Sequence, residues 1–292
     1  MWQAIKVWVL RKYYRFISAR GWKGHADTPN WGAVEIPGTA GPIKGRLYAG
    51  NSRQDKPLII YFHGGGWVIG DLQTHTAFCQ YLNKKSGCSV VSVDYRLAPR
   101  HPFPAAPDDC MAATRWIAAH IGDFGPSNHR IVLAGDSAGA NLATATCLET
   151  GPELRHQIAA EILLYPATDH YSAEYPSYVE KATGQTLTTK LMIFFWDTYL
   201  GEYAESNPQA ARAFPMRSAE LGGLPPTFLV TAENDPLRDE GRAYGNKLQQ
   251  AGVALQCHHF DTAAHGFACS EGPNENFVAM MDELLAWLDQ LD

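Results

Sequence analysis

The sequence lacks the cysteine and histidine patterns by which proteins hold metal ions or build disulfide frameworks. Its six cysteines are scattered over 292 residues, and no two of them form a CxxC pair. There is also no HExxH segment and no Cys/His spacing of the zinc type. Scattered cysteines are typical of thiols in a reducing compartment, so we expect no metal site and a cytoplasmic location.

Charge is scarce as well, and it is unevenly distributed. Asp, Glu, Lys and Arg make up 18% of the residues, a composition typical of a folded protein, and the net charge is −6. The acidic balance and the lack of any RNA- or DNA-binding motif exclude nucleic acid as an expected partner. The first 26 residues, in contrast, contain six basic residues and no acid, which leaves 18 basic against 30 acidic residues in the remainder.

No apolar run reaches the length that crosses a membrane, so we expect no integral membrane segment. The N-terminal segment MWQAIKVWVLRKYYRF is interrupted by Lys6 and Arg11, and no small-x-small cleavage site follows it. A basic amphipathic helix of this kind can make a peripheral contact with an anionic membrane. We favour the alternative, in which the helix packs its apolar stripe on the protein and turns its charges to water. The stripe comprises Trp2, Ile5, Trp8, Val9 and Tyr13.

The sequence does contain short apolar runs that alternate with helical patterns. The runs do not alternate strictly with polar residues, which is typical of strands buried on both faces of a parallel sheet. The repeated alternation of strands and helices predicts an α/β protein whose mostly parallel central sheet is flanked by helices. The predicted strands lie at 57–62, 89–93, 130–135, 160–165, 227–232 and 255–260, and the predicted helices at 105–120, 138–148, 238–251 and 275–291.

Two regions interrupt the alternation, namely the first 40 residues and an aromatic-rich stretch from about 170 to 215. Insertions of this kind can cover a site at the carboxyl edge of a sheet. No linker or internal repeat divides the chain. We therefore expect one domain, 1–292, with a helical cap formed by about 1–40 and about 170–215.

The segment IVLAGDSAGANLA, residues 131–143, places Ser137 between Gly135 and Gly139. A G-x-S-x-G motif after a strand and before a helix predicts a nucleophile elbow. The turn is so tight that side chains on both sides of the serine would collide, which explains the two glycines. A glycine-rich turn with an incidental serine is the alternative.

A serine hydroxyl needs a base to become a good nucleophile, and a histidine needs a carboxylate to orient it. His265 follows the last predicted strand in the segment DTAAHGF, whereas His258 and His259 lie inside that strand. Asp235 comes just after the strand 227–232. The chain order Ser, acid, His fits the same architecture, so we predict a triad of Ser137, Asp235 and His265.

A run of glycines follows the first predicted strand, in the segment YFHGGGW. Consecutive glycines expose backbone N–H groups, which an acyl-transfer site needs for a developing oxyanion. A phosphate loop is disfavoured, because the trailing Lys-Ser/Thr is missing and Gly64, Gly66 and Gly70 miss the G-x-G-x-x-G spacing by one residue.

The chain resembles the bacterial hormone-sensitive-lipase family (GDSAG subgroup) of α/β-hydrolase carboxylesterases. The resemblance rests on the segments HGGGWVIGD, VDYRLAPRHPFPAA, GDSAG, LPPTFLVTAENDPLRDEG and HGF, in that order over about residues 57–267. Arg100 stands where the family usually has Glu, and Ala140 where a further Gly usually follows the elbow. The resemblance implies an α/β-hydrolase fold with a cap, and hydrolysis of esters with short to medium acyl chains.

The resemblance also implies roles for individual residues. The oxyanion hole falls on Gly64, Gly65, Gly66 and the amide of Ala138, and His63 organises the glycine loop. Attack by Ser137 forms an acyl-enzyme that water hydrolyses, without a cofactor. Bulky aromatic side chains suit a confined acyl pocket, although those of residues 194–196 could equally form the core of a cap helix. The predicted pocket residues are Trp67, Phe194, Phe195, Trp196 and Phe267.

The expected partner is therefore a small-molecule ester, and the oligomeric state is open between monomer and homodimer. Three other functions compete with the esterase. An amide or formamide hydrolase, such as an arylformamidase, uses the same chemistry with a different pocket. A non-catalytic ligand-binding protein on the same scaffold is disfavoured by the presence of His265. A membrane-surface interaction protein would use the basic N-terminus.

Overall fold

An eight-stranded sheet forms the centre of the protein. A computed structural model describes residues 2–25, 30–51, 55–125, 127–184, 186–203 and 205–291, with only the backbone for 2, 3 and 209. The strands are β1 (Gly32–Ile36), β2 (Ile43–Tyr48), β3 (Leu58–Phe62), β4 (Val90–Asp94), β5 (Ile131–Asp136), β6 (Ile158–Leu164), β7 (Thr227–Asn234) and β8 (Leu255–Ala264). They are arranged in the order β1-β2-β4-β3-β5-β6-β7-β8. Strands β3 to β8 pair in parallel, and β1 and β2 add an antiparallel edge.

Helices connect the strands and cover the sheet. They are α1 (Trp2–Gly21), α2 (Thr76–Ser86), α3 (Ala105–Ala119), α4 (Ala138–Glu149), α5 (Pro152–Arg155), α6 (Ser177–Glu180), α7 (Thr189–Leu200), α8 (Arg238–Gln250), α9 (Phe267–Ser270) and α10 (Glu275–Leu288). Short 3₁₀ helices lie at Ile121–Phe124, Tyr171–Ala173, Pro208–Ala213 and Pro215–Arg217. The α/β class predicted from the sequence is confirmed.

Successive side chains of a strand point to opposite faces of the sheet. In the central strands both sets are apolar, so both faces of the sheet are buried there. In β3, Ile60 and Phe62 join the core beneath α3, α4 and α7, while Ile59 and Tyr61 join the core beneath α2 and α10. Strands β3, β5 and β6 are buried over their whole length. This two-sided burial explains why these strands carry unbroken apolar runs.

The structure contains elements that the sequence patterns did not predict, among them two strands and the helices α2, α5 and α9. Strands β1 and β2 form the antiparallel edge, where burial is partial and the apolar signal is correspondingly weak. Because β1 belongs to the sheet, only part of the range 1–40 is available for a cap. The range 170–215 contains helices and no strand among its described residues, in agreement with its sequence pattern.

Helix α1 packs on the protein through a face other than the predicted one. Val7 is buried, and Leu10, Tyr14 and Ile17 are half-buried on the same side. The predicted stripe is therefore wrong, because Ile5, Trp8, Val9 and Tyr13 are exposed; the side chain of Trp2 lies outside the described residues. The helix carries apolar residues around most of its circumference, so helical spacing alone did not identify the buried side.

Candidate active site

The serine occupies the turn between β5 and α4. Its backbone has φ 55° and ψ −118°, a left-handed conformation that few non-glycine residues adopt. A Cβ atom on Gly135 would collide with the backbone of Gly139, and one on Gly139 would collide with the carbonyl of Phe62. The glycines on both sides of Ser137 are therefore required by close packing of backbone against backbone.

The three predicted triad residues meet at the carboxyl edge of the sheet. Ser137 Oγ lies 3.0 Å from His265 Nε2, and His265 Nδ1 lies 2.7 Å from Asp235 Oδ2. All three residues are buried, and Asp235 also accepts a hydrogen bond from the amide of Leu237 at 2.8 Å. The arrangement can pass a proton from the serine hydroxyl to a histidine whose other nitrogen donates to a carboxylate.

Backbone amides lie next to the serine in the glycine run and at the start of α4. Gly65 and Gly66 have φ values of 116° and 58°, in the left-handed region that favours glycine. Within the described ranges, the amides of Gly65, Gly66 and Ala138 donate to no protein acceptor. The amide of Gly64 instead donates to Asp136 Oδ1 at 2.8 Å. The sequence prediction for Gly64 is thus corrected: its donor is engaged and only the other three are free.

A buried network centred on Asp136 supports the glycine run from behind, and sequence reasoning missed it. Besides Gly64, the Oδ1 atom accepts from the hydroxyl of Tyr61 at 2.7 Å and lies 3.2 Å from His75 Nε2. Burial favours a higher pKa for Asp136, but His75 and these hydrogen bonds outweigh it and lower the pKa. The position of Asp136 inside the GDSAG motif was the only sequence signal for this role.

His63 stands at the start of the glycine run and is held as a neutral ring. Nδ1 donates to the carbonyl of Gly64 at 2.8 Å, and the ring stacks on Tyr95 with centroids 4.4 Å apart. Burial, together with the neighbouring His75, lowers the pKa of His63 to about 4. Its contacts agree with the organising role that the resemblance implied.

A cavity opens above the serine and the histidine, with about 550 Å³ of empty space including its mouth. Its walls are mainly apolar and come from three parts of the chain: α1, the glycine run with Ile69, and the segment from 186 to 195. The apolar side chains in the wall are Tyr14, Ile17, Ile69, Leu187, Leu191, Met192 and Phe195. A mainly apolar cavity next to a nucleophile suits an uncharged acyl group.

In the part of the chain that the structure describes, Phe195 alone of the five aromatic residues predicted for the pocket lines this cavity. Trp67 and Trp196 are buried in the core, where Trp67 stacks on Tyr199 with centroids 4.3 Å apart. Phe267 packs against Tyr165 beneath the site.

Phe194 lies under the ammonium group of Lys6, 3.6 Å from its ring centre. Consecutive helical residues point about 100° apart, so residues 194, 195 and 196 cannot all face one cavity. The residues that share the cavity face with Phe195 are Leu191 and Met192, at helical spacing from it. Their apolar character was visible in the sequence, but the face of the helix was not.

His75, Asp136 and Cys269 are close enough together for a metal ion, with their ligand atoms within 4.8 Å of one another. The Oδ1 atom of Asp136, however, already accepts the hydrogen bonds from Gly64 and Tyr61 and lies 3.2 Å from His75 Nε2. Burial raises the pKa of the Cys269 thiol well above its ordinary value, which disfavours the thiolate that a metal would bind. The cluster is therefore explained as a hydrogen-bond network.

A family model described as alpha/beta hydrolase fold matches residues 59–269. The chain belongs to the α/β-hydrolase family. Among curated proteins, this hydrolase is similar to esterase LipI of Mycobacterium tuberculosis, with 40% identity over 258 residues that cover 85% of this chain and 80% of that protein. The sequence resemblance to hormone-sensitive-lipase-type carboxylesterases is confirmed, and the enzyme is a carboxylic ester hydrolase.

Solved structures give the same assignment for this hydrolase. A hyperthermophilic esterase from the archaeon Pyrobaculum calidifontis superposes with a TM-score of 0.88 and 35% identity, covering 97% of this chain and 90% of that one. Ester hydrolase EH1AB1 from the metagenome of Lake Arreo, in complex with a bipyridine phosphonate derivative, gives a TM-score of 0.85 and 36% identity, covering 95% and 88%. In the described part of the hydrolase, no helix combines the length and apolar character needed to cross a bilayer.

Proposed function

We propose that the enzyme hydrolyses short- to medium-chain carboxylic esters through an acyl-enzyme formed on Ser137. The observation that carries the proposal is the continuous contact from Ser137 Oγ to His265 Nε2 at 3.0 Å and from His265 Nδ1 to Asp235 Oδ2 at 2.7 Å. In this scheme His265 is the general base, and Asp235 fixes its tautomer and stabilises its cation.

The reaction proceeds in two halves. Ser137 Oγ attacks the ester carbonyl while its proton passes to His265 Nε2, and negative charge develops on the carbonyl oxygen. The free amides of Gly65, Gly66 and Ala138 are the proposed donors to this oxyanion. The intermediate collapses to the acyl-enzyme as His265 gives its proton to the leaving alcohol. His265 then takes a proton from water, which attacks the acyl-enzyme, and returns that proton to Ser137 Oγ as the carboxylic acid leaves.

We also propose that α1 and the segment from about 170 to 215 act as the cap of the site. Tyr14 and Ile17 of α1 and Leu191, Met192 and Phe195 of α7 contribute to the wall of the cavity. Exclusion of water by such a cap strengthens the electrostatic contacts at the reacting atoms. The free cysteines, five of them buried, support a cytoplasmic location for the protein.

The proposal is tested with p-nitrophenyl butyrate under pre-steady-state conditions. We expect a burst of p-nitrophenol close to one equivalent per enzyme, and Ser137→Ala should abolish it and lower kcat by roughly 10³-fold or more. Ser270→Ala is the matched control, because this serine lines the same cavity without contacting His265. Retention of the burst in Ser137→Ala would assign the nucleophile elsewhere. Faster turnover of the matching anilide or formanilide than of the ester would favour the amidase alternative.

A further inference from the structure

The solvent-facing side of α1 carries a concentration of apolar side chains. Eight large apolar residues are exposed among the described residues, and five of them belong to this one helix. Each of the five is between 50% and 61% exposed. They follow one face at helical spacing, together with two exposed cations, and we call this surface the outer face. It comprises Ile5, Trp8, Val9, Lys12, Tyr13, Phe16 and Arg20.

The outer face is not the consequence of a loosely attached helix. On the opposite side, Arg11 Nε donates to the carbonyl of Val68 at 2.9 Å, and Val7 is buried in the core. At the end of the helix, the indole of Trp22 donates to the carbonyl of Cys269 at 2.8 Å. Because these contacts fix the helix, its exposed apolar residues have no route into the core of the protein.

The outer face also belongs to a basic N-terminal segment, whereas the rest of the protein is acidic. Of the six basic residues in the first 26, five are exposed and no acidic residue accompanies them, namely Lys6, Lys12, Arg15, Arg20 and Lys23. Among the described residues, Arg15 alone of these five has an ion-pair partner, Asp71, at 2.6 Å. The remainder of the chain, with 18 basic and 30 acidic residues, has the opposite sign. Aromatic and cationic side chains therefore project together from one helix.

We infer that the outer face docks on an anionic lipid surface. Trp, Tyr and Phe favour the boundary between lipid headgroups and acyl chains, and exposed Lys and Arg are attracted by anionic headgroups. A helix lying in the plane of the membrane would place its apolar side chains in that boundary while the acidic bulk of the protein remains in water.

A second copy of the chain fits the outer face less well. Pairing two copies of α1 about a two-fold axis would bring Lys12 and Arg20 against like charges. The other large apolar residues exposed in the described part of the chain, Trp31, Val179 and Val278, belong to separate parts of the fold and form no second apolar helix face there. The lipid surface matches both the charge and the apolar character of the outer face.

Docking would bring the proposed ester site to the membrane. Tyr14 and Ile17 on the inner side of the same helix line the cavity above Ser137. The docked enzyme would therefore meet esters that partition into lipid at a higher local concentration than in water. The binding itself does not depend on the proposed chemistry, so it is measured directly.

The test is sedimentation of the full-length protein with lipid vesicles. Vesicles of phosphatidylcholine alone are compared with vesicles containing about 30% phosphatidylglycerol. We expect at least about tenfold stronger partitioning to the anionic vesicles, and its loss in about 0.5 M salt, where surface charges are screened. Equal partitioning to the two vesicle types would overturn the inference.

Two pairs of variants locate the binding surface. Lys12→Glu/Arg20→Glu should lower partitioning about tenfold or more. The control Lys44→Glu/Arg115→Glu changes the net charge equally at exposed sites elsewhere and should retain most of the partitioning. Trp8→Ala/Phe16→Ala should likewise lower it, against Val179→Ala/Val278→Ala as the apolar control. Hydrolysis of a water-soluble ester and circular dichroism establish that each variant is folded. Equal losses in a variant and its control, or a dimer in light scattering that Trp8→Ala/Phe16→Ala dissociates, would overturn the inference.

Discussion

The amide nitrogen of Gly64 lies 2.8 Å from the Oδ1 atom of Asp136, the residue that immediately precedes the proposed nucleophile. This hydrogen bond joins the glycine run after β3 to the turn after β5. The donors on these two segments, Gly65 and Gly66 on one and Ala138 on the other, are thereby held in a fixed relation to each other. A side chain that is not itself one of the proposed oxyanion donors can in this way control the geometry of the proposed oxyanion site.

Replacing Asp136 should therefore slow turnover more than it weakens substrate binding. We expect Asp136→Ala to lower kcat by roughly 10²-fold, comparable to the loss of one oxyanion donor, with little change in KM. Asp136→Asn retains an oxygen that can accept from Gly64 and should recover part of the loss. Steady-state kinetics on a soluble ester measure both. The exposed Asp261→Ala is the control, and wild-type kcat in Asp136→Ala would show that the bond does not position the site.

Two adjacent phenylalanines of α7 allow a matched test of the acyl pocket. Phe195 lines the cavity and Phe194 does not, so Phe195→Ala should move the preferred acyl chain from about C4–C8 to longer esters, while Phe194→Ala keeps the wild-type preference. Each added methylene contributes up to about 0.8 kcal/mol where space exists. A series of p-nitrophenyl esters gives the preference as kcat/KM. An identical shift in both variants would indicate a general loosening of the helix.

The buried Glu161 makes folding stability depend on pH. Burial raises its pKa to about 7, and neither carboxylate oxygen has a well-formed hydrogen bond among the described residues. Between pH 4.5 and 7 the folded state retains a proton that the unfolded state has released, so stability falls as pH rises.

Glu161→Gln should remove this dependence. Relative to the wild type, the variant should gain about 2–3 kcal/mol in the free energy of unfolding between pH 5 and pH 8, which urea denaturation at each pH measures. Taking the difference between the two proteins cancels the titration of other groups. The exposed Glu153→Gln should show no such gain. A constant difference across the pH range would mean that Glu161 titrates near its ordinary pKa.

Arg11 should determine how firmly α1 is held. Its guanidinium donates to the carbonyls of Val68 and Ala98 at 2.9 and 3.3 Å, and charged hydrogen bonds contribute about 1.5–3 kcal/mol. Arg11→Ala should therefore accelerate amide hydrogen exchange in α1 by at least about tenfold, whereas Lys12→Ala, on the exposed side, should not. Equal exchange in the two variants would assign the attachment of the helix to its apolar contacts.

The sequence predicted those strands whose burial on both faces of the sheet leaves an unbroken apolar run in the sequence. Strands β3 to β7 are apolar because both faces of the sheet are covered there, so their runs stood out. Strand β8, at the other edge, is only partly buried. Strands β1 and β2 are partly exposed at the edge, and their alternation is short and weak. The positions of Ser137, Asp235 and His265 followed from motif and chain order, because each directly follows a strand of the same sheet.

The cavity wall was much less predictable. Bulky aromatic residues were the natural candidates, yet Trp67 and Trp196 are used for core packing, and smaller Leu and Met side chains form much of the wall. The outcome depends on the rotation of α7 about its axis, which is set by contacts far apart in the sequence. The same reason explains the incorrect face of α1. Likewise, the sequence did not show which amides of the glycine run are free, because the amide of Gly64 is engaged by Asp136, 72 residues away.

The hydrogen bond from Trp22 to Cys269 joins residues that are 247 positions apart and has a consequence for the order of assembly during synthesis. Helix α1 leaves the ribosome before the segment that receives its indole, which follows 247 residues later. During synthesis this anchor is missing until the segment around Cys269 emerges, and α1 is held only by contacts to earlier segments, such as that of Arg11 with Val68. Apolar surface that stays uncovered on a nascent chain is where chaperones bind and chains aggregate. The wall that α1 contributes above Ser137 is therefore fully anchored only after Cys269 has been made.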